Sequence, residues 1–320
     1  MKIAFLQRDL PFEHYGGVAC QVHLLANALC RLGHQVTVFS LSKEGPGALY
    51  KTIQIVLSPF IKKYRILHRH LLGFYFRKLN LKEFDAIHAH GDNYCMGFRK
   101  PLVRTFYGSA LGEMLNASNL LRALSQFLFY ILEWVSAPQA SVNVGISSTT
   151  RSHLPFIKRI IPCGIQTCDY RPVQNKSNKP SILFVGEISG RKRGKLLLSV
   201  FRKEILPRMP ECELHMICNE KAIGKNVYWH GKVSKKELFE LYSKAWVTCI
   251  PSRYEGFGVP VLESMAWGTP IVATSCGGID EILKDGDCGI ITTTGELAHK
   301  LCRVIEDKKL YQELRRGGLE

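Results

Sequence analysis

The feature that most constrains this chain is a strand–glycine turn–helix–strand pattern at its start. KIAFLQ (Lys2–Gln7) is a short apolar run and reads as a buried strand. HYGG (His14–Gly17) follows, and Val18, Val22, Leu25, Ala26 and Leu29 then recur at helical spacing until Gly33. QVTVFS (Gln35–Ser40) is the next strand. Two strands joined through a helix pair in parallel, so this unit predicts a parallel sheet covered by helices.

The pattern recurs. FDAIHAH (Phe84–His90), PLVRTFY (Pro101–Tyr107), ASVNVGIS (Ala140–Ser147) and RIIPCGI (Arg159–Ile165) extend the first strand series. The polar, proline-bearing stretch Gln166–Ser181 reads as a linker. SILFVGE (Ser181–Glu187), CELHMIC (Cys212–Cys218), VYWHG (Val227–Gly231), AWVTCIPS (Ala245–Ser252) and PIVAT (Pro270–Thr274) form a second series separated by helical patterns. Two doubly wound α/β domains in series are expected, over residues 1–168 and 169–320. The length of 320 residues suits that division. In such folds ligands bind at the carboxyl ends of strands, and often between domains.

Composition narrows the partners. A hydrophobic content of 46% supports full cores, and a net charge of +16 points to an anionic partner: a membrane surface, nucleic acid or a phosphorylated substrate. No zinc-finger, RNP-like or helix-turn-helix signature is present, so nucleic acid is not expected. Eleven cysteines are dispersed without a CxxC, and Met1 leads directly into a strand pattern; reduced thiols in the cytoplasm are the expectation. The longest apolar segment, Asn119–Ala137, is interrupted by Arg122, Gln126 and Glu133 and reads as a packed amphipathic helix rather than a membrane span. Phe60–Asn80 mixes six Lys and Arg residues with aromatics and leucines. Two readings of it stay open: a helix lying on an anionic membrane, or a solvated helix whose long stems cover the edge of a core.

The chemistry concentrates in SRYEGFGVPVLES (Ser252–Ser264). Pro260 suits the first turn of a helix, expected from about Pro260 to Trp267 and ended by Gly268. The backbone amides of Phe257, Gly258 and Val259 then lie at a helix start, which favours anionic or hydroxyl-rich ligands. Glu263, expected in the first turn, can accept from two adjacent hydroxyls, as in a ribose; Glu255, ahead of the loop, can grip a sugar hydroxyl. The structural alternative is two acids that only favour the helix dipole. In GRKRGK (Gly190–Lys195) the glycine spacing excludes a P-loop, and a solvated basic turn is the plain alternative. IHAH puts His88 and His90 on one strand face, but no carboxylate or cysteine completes a metal set, so no metal and no cofactor are expected. Asp285–Asp287 reads as a turn.

With these residues in view, the chain resembles glycosyltransferase family 4. The proline-serine strand end, the two glutamates around EGFG, MAWGTPIVAT and the GGIDE loop carry the most specific likeness, and HYGGVACQVHLLANALCRLGHQVTVFS and LFVGEISGRKRGKLLL extend it. The resemblance implies a GT-B fold, two facing Rossmann-like doubly wound parallel-sheet domains with an interdomain cleft. It also implies a retaining transfer from a nucleotide-diphosphate sugar. Gly16 and Gly17 would face the donor diphosphate. Arg193 stands where the family usually has a diphosphate-binding lysine, with Arg191 and Lys192 as further cations. Glu255 and the backbone of Phe257 to Val259 would face the donor sugar, and Glu263 the ribose. Tyr107 would lie near the reacting sugar. His90, nearer the carboxyl end of its strand than His88, is the better site candidate of a histidine pair that reads as packed or substrate-facing.

Three departures stand out. Glu187 replaces a common arginine, and Tyr107 replaces a common histidine. The chain stops at RRGGLE, where members usually continue through a further helix, which implies a second domain shortened at its carboxyl end. The acceptor is expected to be a hydroxyl, with lipid-linked and cell-envelope acceptors suggested by the basic charge. A non-catalytic sugar-nucleotide-binding protein, and another GT-B enzyme such as an epimerase or phosphorylase, remain alternatives.

Overall fold

The structure is a computed structural model describing residues 1–12, 16–58, 65–91, 94, 96–97, 101–166, 176–283 and 286–320; the side chains of 65–70 also fall outside the description. The expectations attached to His14, to the amino-terminal half of the basic Phe60–Asn80 segment, to most of the linker and to Asp285 lie outside the described residues. The chain divides into two compact units: Met1–Leu115 with Leu121–Gly164, and Ile165–Glu320 with Asn116–Leu120.

The first unit is a seven-stranded sheet. Its strands are β1 (Lys2–Leu6), β2 (Gln35–Ser40), β3 (Lys51–Gln54), β4 (Ala86–His90), β5 (Leu102–Phe106), β6 (Val142–Gly145) and β7 (Arg159–Ile160). They lie in the order β3-β2-β1-β4-β5-β6-β7, all parallel. The helices are α1 (Gly17–Arg31), α2 (Arg65–Arg77), α3 (Ala110–Leu115), α4 (Leu120–Ser136) and α5 (Ser148–His153). Central strands covered on both faces need apolar side chains on both. Accordingly Ala4, Phe5 and Leu6 of β1 are fully buried, with Phe5 facing the Val22 and Ala26 side of α1, and Ala4 and Leu6 facing Leu72 and Phe76 of α2.

The second unit repeats the plan with six strands. These are β8 (Ser181–Val185), β9 (Glu213–Ile217), β10 (Val227–Trp229), β11 (Val247–Ile250), β12 (Ile271–Thr274) and β13 (Gly289–Thr292). The order is β10-β9-β8-β11-β12-β13, again all parallel. Numbered within its own unit, this is 3-2-1-4-5-6, the order that the first unit also shows before its extra β7. Helices α6 (Gly194–Val200), α7 (Lys235–Lys244), α8 (Val259–Ala266), α9 (Gly278–Leu283), α10 (Leu297–Glu306) and α11 (Lys308–Leu319) cover it. In both units the chain winds outward through its first three strands and then crosses back, so that the fourth strand lies beside the first; the loops after these two strands carry the residues singled out above.

Candidate active site

In the second unit the site is built where β11 ends. Every residue of β11 is buried, and the chain then leaves the sheet through Pro251 and Ser252. Glu255 pairs with the backbone of the next crossover: its N–H donates to Cys276 O at 2.8 Å, and Gly278 N–H donates to Glu255 O at 2.9 Å. This contact requires glycine. A Cβ on Gly278 would stand 2.5 Å from Gly256 O and from Phe257 Cα. Gly258 then takes a φ of 104° as the residue before α8, a left-handed value that a side chain disfavours. Gly258 offers no side-chain cap to this helix start; Val261 N–H turns back to Gly258 O at 2.8 Å, and the amides ahead of it have no acceptor within the helix. Phe257, Gly258 and Val259 therefore sit where the sequence places them. The helix begins one residue earlier than expected, with Pro260 second, and Glu263 falls in the second turn rather than the first.

Three consecutive cations divide between two tasks. Lys192 Nζ lies 2.6 Å from Glu255 Oε1, and Arg191 Nη1 lies 3.2 Å from Glu255 Oε2. Ser252 Oγ donates to Glu255 Oε1 at 2.7 Å, and Arg191 also donates to Tyr254 O at 2.8 Å. Burial by itself would raise the Glu255 carboxyl; Lys192, Arg191 and the hydrogen bonds from Lys192 and Ser252 outweigh it and hold the pKa below the ordinary value. Arg193 points elsewhere. Its backbone is left-handed at φ 53°, and its guanidinium donates to the carbonyls of Pro251 and Ser252 and to the hydroxyls of Thr274 (3.0 Å) and Thr294 (3.1 Å). The residue that the sequence aligns with a diphosphate lysine thus ties the ends of β11 and β12 together, while its two predecessors flank the buried acid.

Glu263 has a different environment. Tyr242, fully buried on α7, donates its hydroxyl to Glu263 Oε2 at 3.2 Å. Burial raises the Glu263 carboxyl to about 7, against the opposing effects of the Tyr242 hydrogen bond and the Lys235 charge. Ser252 and Tyr242 both belong to this constellation and neither was assigned from sequence. The first opens the quoted motif but was given no role; the second is 21 positions from Glu263, with no local signal linking them.

The candidate groups of the first unit are neutral. His90 is almost wholly buried at the carboxyl end of β4, its Nδ1 3.1 Å from the Tyr107 hydroxyl. His88 lies against it, tilted by 34° with 3.9 Å between ring centroids, and meets Thr105 Oγ1 at 2.8 Å. Burial lowers His88 to about 4 and takes His90 well below the usual imidazole value, with the neighbouring His88 adding to the effect. Burial raises Tyr107 far above the usual phenol value. Gly16 is the extended residue before α1, and a Cβ on Gly16 or Gly17 would meet nothing within 4 Å. Neither glycine is demanded by packing. Among the described residues no group of three or more His, Cys, Asp and Glu side chains could hold a metal ion.

Comparison with known proteins gives a consistent result. Residues 168–320 match the family described as Glycosyl transferases group 1, and residues 15–167 match Glycosyltransferase Family 4. The chain is 26% identical over 398 aligned residues to the MMP alpha-(1->4)-mannosyltransferase of Mycolicibacterium hassiacum, covering 99% of this chain and 92% of that protein. It is 25% identical to an uncharacterized glycosyltransferase of Methanocaldococcus jannaschii over 91% of this chain and 84% of the relative. Among solved structures, sucrose-phosphate synthase of Thermosynechococcus elongatus superposes with a TM-score of 0.78 at 20% identity, covering 99% of this chain and 93% of that one. Anabaena Alr3699/HepE in complex with UDP-glucose superposes with a TM-score of 0.73 at 16% identity, covering 100% and 93%.

Proposed function

The chain belongs to glycosyltransferase family 4 and is a glycosyltransferase of the GT-B type; from that premise we propose that it moves a sugar, with retention and without a metal, from a nucleotide-diphosphate sugar to an acceptor hydroxyl. The observation that carries the reading is the cluster of Glu255, Lys192 and Arg191 beside an uncapped helix start. A departing diphosphate needs preorganised positive potential, and two cations with the amides of Phe257 to Val259 supply it. Gly16 and Gly17, which packing leaves open, give a backbone that a diphosphate can approach. The structures of the Anabaena relative with UDP and UDP-glucose support a nucleotide-sugar donor.

In this mechanism the bond from the anomeric carbon to the diphosphate oxygen breaks, and the bond from that carbon to the acceptor oxygen forms on the same face. The acceptor proton passes to the departing phosphate oxygen. Lys192 and Arg191 hold the leaving group, and Arg193 holds the loop ends that carry them. Glu255, kept ionised, accepts from a hydroxyl of the donor sugar; Glu263 accepts from the ribose. His90 and Tyr107, both neutral, orient the reacting sugar as hydrogen-bonding groups and carry no charge. An acceptor on a lipid-linked or envelope glycan belongs to the same proposal. It is supported by the surplus of positive charge and by the likeness to WaaG, whose structure is described as that of a glycosyltransferase involved in lipopolysaccharide biosynthesis. The nine cysteines among the described residues are all unpaired, which supports a reducing, cytoplasmic location.

The test is calorimetric titration with UDP, GDP and ADP, run in parallel on Glu263→Ala, followed by a sugar-transfer screen with the nucleotide that binds. Tight binding of one nucleotide, weakened in the variant, is expected. Binding without turnover over a broad acceptor panel would favour a non-catalytic sugar-nucleotide binder, and absence of any binding would remove the donor site.

A further inference from the structure

Helix α4 is amphipathic in the wrong sense for a packed helix of a water-soluble domain. The carboxyl-terminal part of its polar side is turned inward. Glu133 is 5% exposed and accepts from Ala110 N–H through both carboxylate oxygens, at 3.1 and 3.2 Å. Ser136 is buried and accepts from Arg104, whose guanidinium lies between the rings of Tyr94 and Phe106. Phe129, against Tyr94, is the buried apolar residue of this inner face, with Tyr130 and Leu132 partly buried beside it. The opposite side carries Leu124, Phe127, Leu128, Ile131, Trp134 and Val135, exposed between 42% (Ile131) and 57% (Val135), with Leu121 at 81%. At 100° per residue these positions form one stripe ~140° wide along the whole helix. The stripe contains no charge. The three interruptions that argued against a span in the sequence, Arg122, Gln126 and Glu133, all lie on the other side of the wheel.

We propose that this stripe is a docking face for an anionic lipid bilayer, with α4 lying in the plane of the interface. By length and composition the segment Leu120–Gln139 could cross a membrane, but Glu133 and Ser136 are bonded to the domain along its inner side, so it cannot leave the sheet to do so. A contiguous exposed apolar face of this size marks an interaction surface. Trp134 on the stripe suits the headgroup level of a bilayer, where its ring is apolar and its N–H stays wet. Charge decides between lipid and a second copy of the chain. Residues 1–164 hold 19 Lys and Arg against 8 Asp and Glu. That excess repels an identical unit and attracts anionic headgroups, so apolar burial and electrostatic attraction act together on lipid and oppose each other in a symmetric dimer.

The experiment is sedimentation of the full chain with vesicles of phosphatidylcholine alone or mixed with phosphatidylglycerol. Partitioning onto the mixed vesicles should exceed that onto the neutral ones at least about tenfold, and the pair Leu124→Glu with Ile131→Glu should lower it at least about tenfold again. Brominated lipid should quench part of the tryptophan emission, and Trp134→Phe should remove that part. Far-UV circular dichroism and thermal unfolding check that the paired variant is folded; Leu124→Gln with Ile131→Gln replaces it if it is not. Failure of the parent chain to bind mixed vesicles overturns the proposal, as does equal binding by the folded variant. A concentration-dependent dimer that the variant dissolves, seen without vesicle binding, overturns it in favour of self-association. None of these readouts depends on the donor site or on turnover.

Discussion

The two units share a strand order and handle their titratable groups in opposite ways. In the first unit, burial neutralises: His88 and His90 lose their proton affinity and Tyr107 keeps its proton, so the cluster at the end of β4 bears no charge near neutral pH. In the second unit, pairing preserves charge: Glu255 is as deeply buried, yet Lys192 and Arg191 hold it ionised. A doubly wound sheet offers the same crevice in both cases. What the crevice does is set by whether desolvation meets a counter-charge. For a reaction that expels a diphosphate, the charged half suits the donor, and the neutral half suits a partner whose hydroxyls need orienting more than their charge needs balancing.

The comparison is broken most directly at Glu255. Removing the carboxylate leaves Lys192 and Arg191 beside each other without the anion between them, and breaking a buried pair in this way costs ~3–5 kcal/mol. We expect Glu255→Ala to lower the melting temperature by several degrees and the transfer rate at least about a hundredfold. A nucleoside diphosphate should then raise the melting temperature of the variant more than that of the parent, because its phosphates replace the missing anion. Equal shifts in parent and variant would separate Lys192 and Arg191 from the diphosphate.

Glu263 is a group of the second unit that behaves like those of the first: burial dominates its ionisation, and among the described residues no cation forms an ion pair with it. Its pKa is raised to about 7 when folded, from an ordinary value near ~4.3 in the unfolded chain. The folded state therefore binds more protons between these values, and this group's contribution to stability falls as pH rises through that window. Glu263→Gln should remove that dependence and be the more stable form at pH 8. Nucleotide binding should move the other way. A ribose needs the ionised acceptor, so affinity should rise with pH through about 7 in the parent and stay flat in the variant. At pH 8 the variant should bind ~10-fold or more weakly, the worth of a charge-assisted hydrogen bond pair. Titrations from pH 6 to 8 test both signs.

At the first-unit pair, Tyr107→Phe removes one neutral hydrogen bond to His90, worth ~1 kcal/mol, and should slow transfer by about fivefold. The sharper test is shape: with His90 and Tyr107 both shifted away from neutrality, neither should add an inflection to the rate between pH 6 and 8. A histidine-like inflection that disappears in His90→Asn would show that burial does not neutralise the cluster.

Most strands of this fold are legible as short apolar runs between glycine and helical patterns, because central parallel strands must be apolar on both faces. The two that escape, β3 and β13, lie at sheet edges. Lys51–Gln54 has no fully buried residue, and Gly289–Thr292 has only two. The site is less legible for a geometric reason. GRKRG presents three adjacent cations that sequence cannot rank, and the left-handed backbone at Arg193 sends that guanidinium onto carbonyls while Lys192 and Arg191 reach Glu255, more than sixty positions away. Helix α4 shows the same limit: periodicity reveals a helix and its two faces, but which face turns inward depends on partners such as Ala110 and Arg104 that lie elsewhere in the chain.

The smallest expected effect lies at Tyr242, whose hydroxyl donates to Glu263. It sits beneath the carboxylate and is a positioning residue, acting through Glu263. Tyr242→Phe keeps the ring in its fully buried place and deletes only the donor. Without that bond the ionised carboxylate loses a stabilising partner, so the Glu263 pKa should rise further. At pH 7 nucleotide affinity should fall about twofold to fivefold, and at pH 8.5 most of it should return, because the carboxylate is then ionised in both proteins. A variant that loses affinity equally at both pH values would mean that Tyr242 acts through packing alone. The recovery at high pH separates a tuned acceptor from a merely supported helix, and with it the charged half of the molecule from a neutral one.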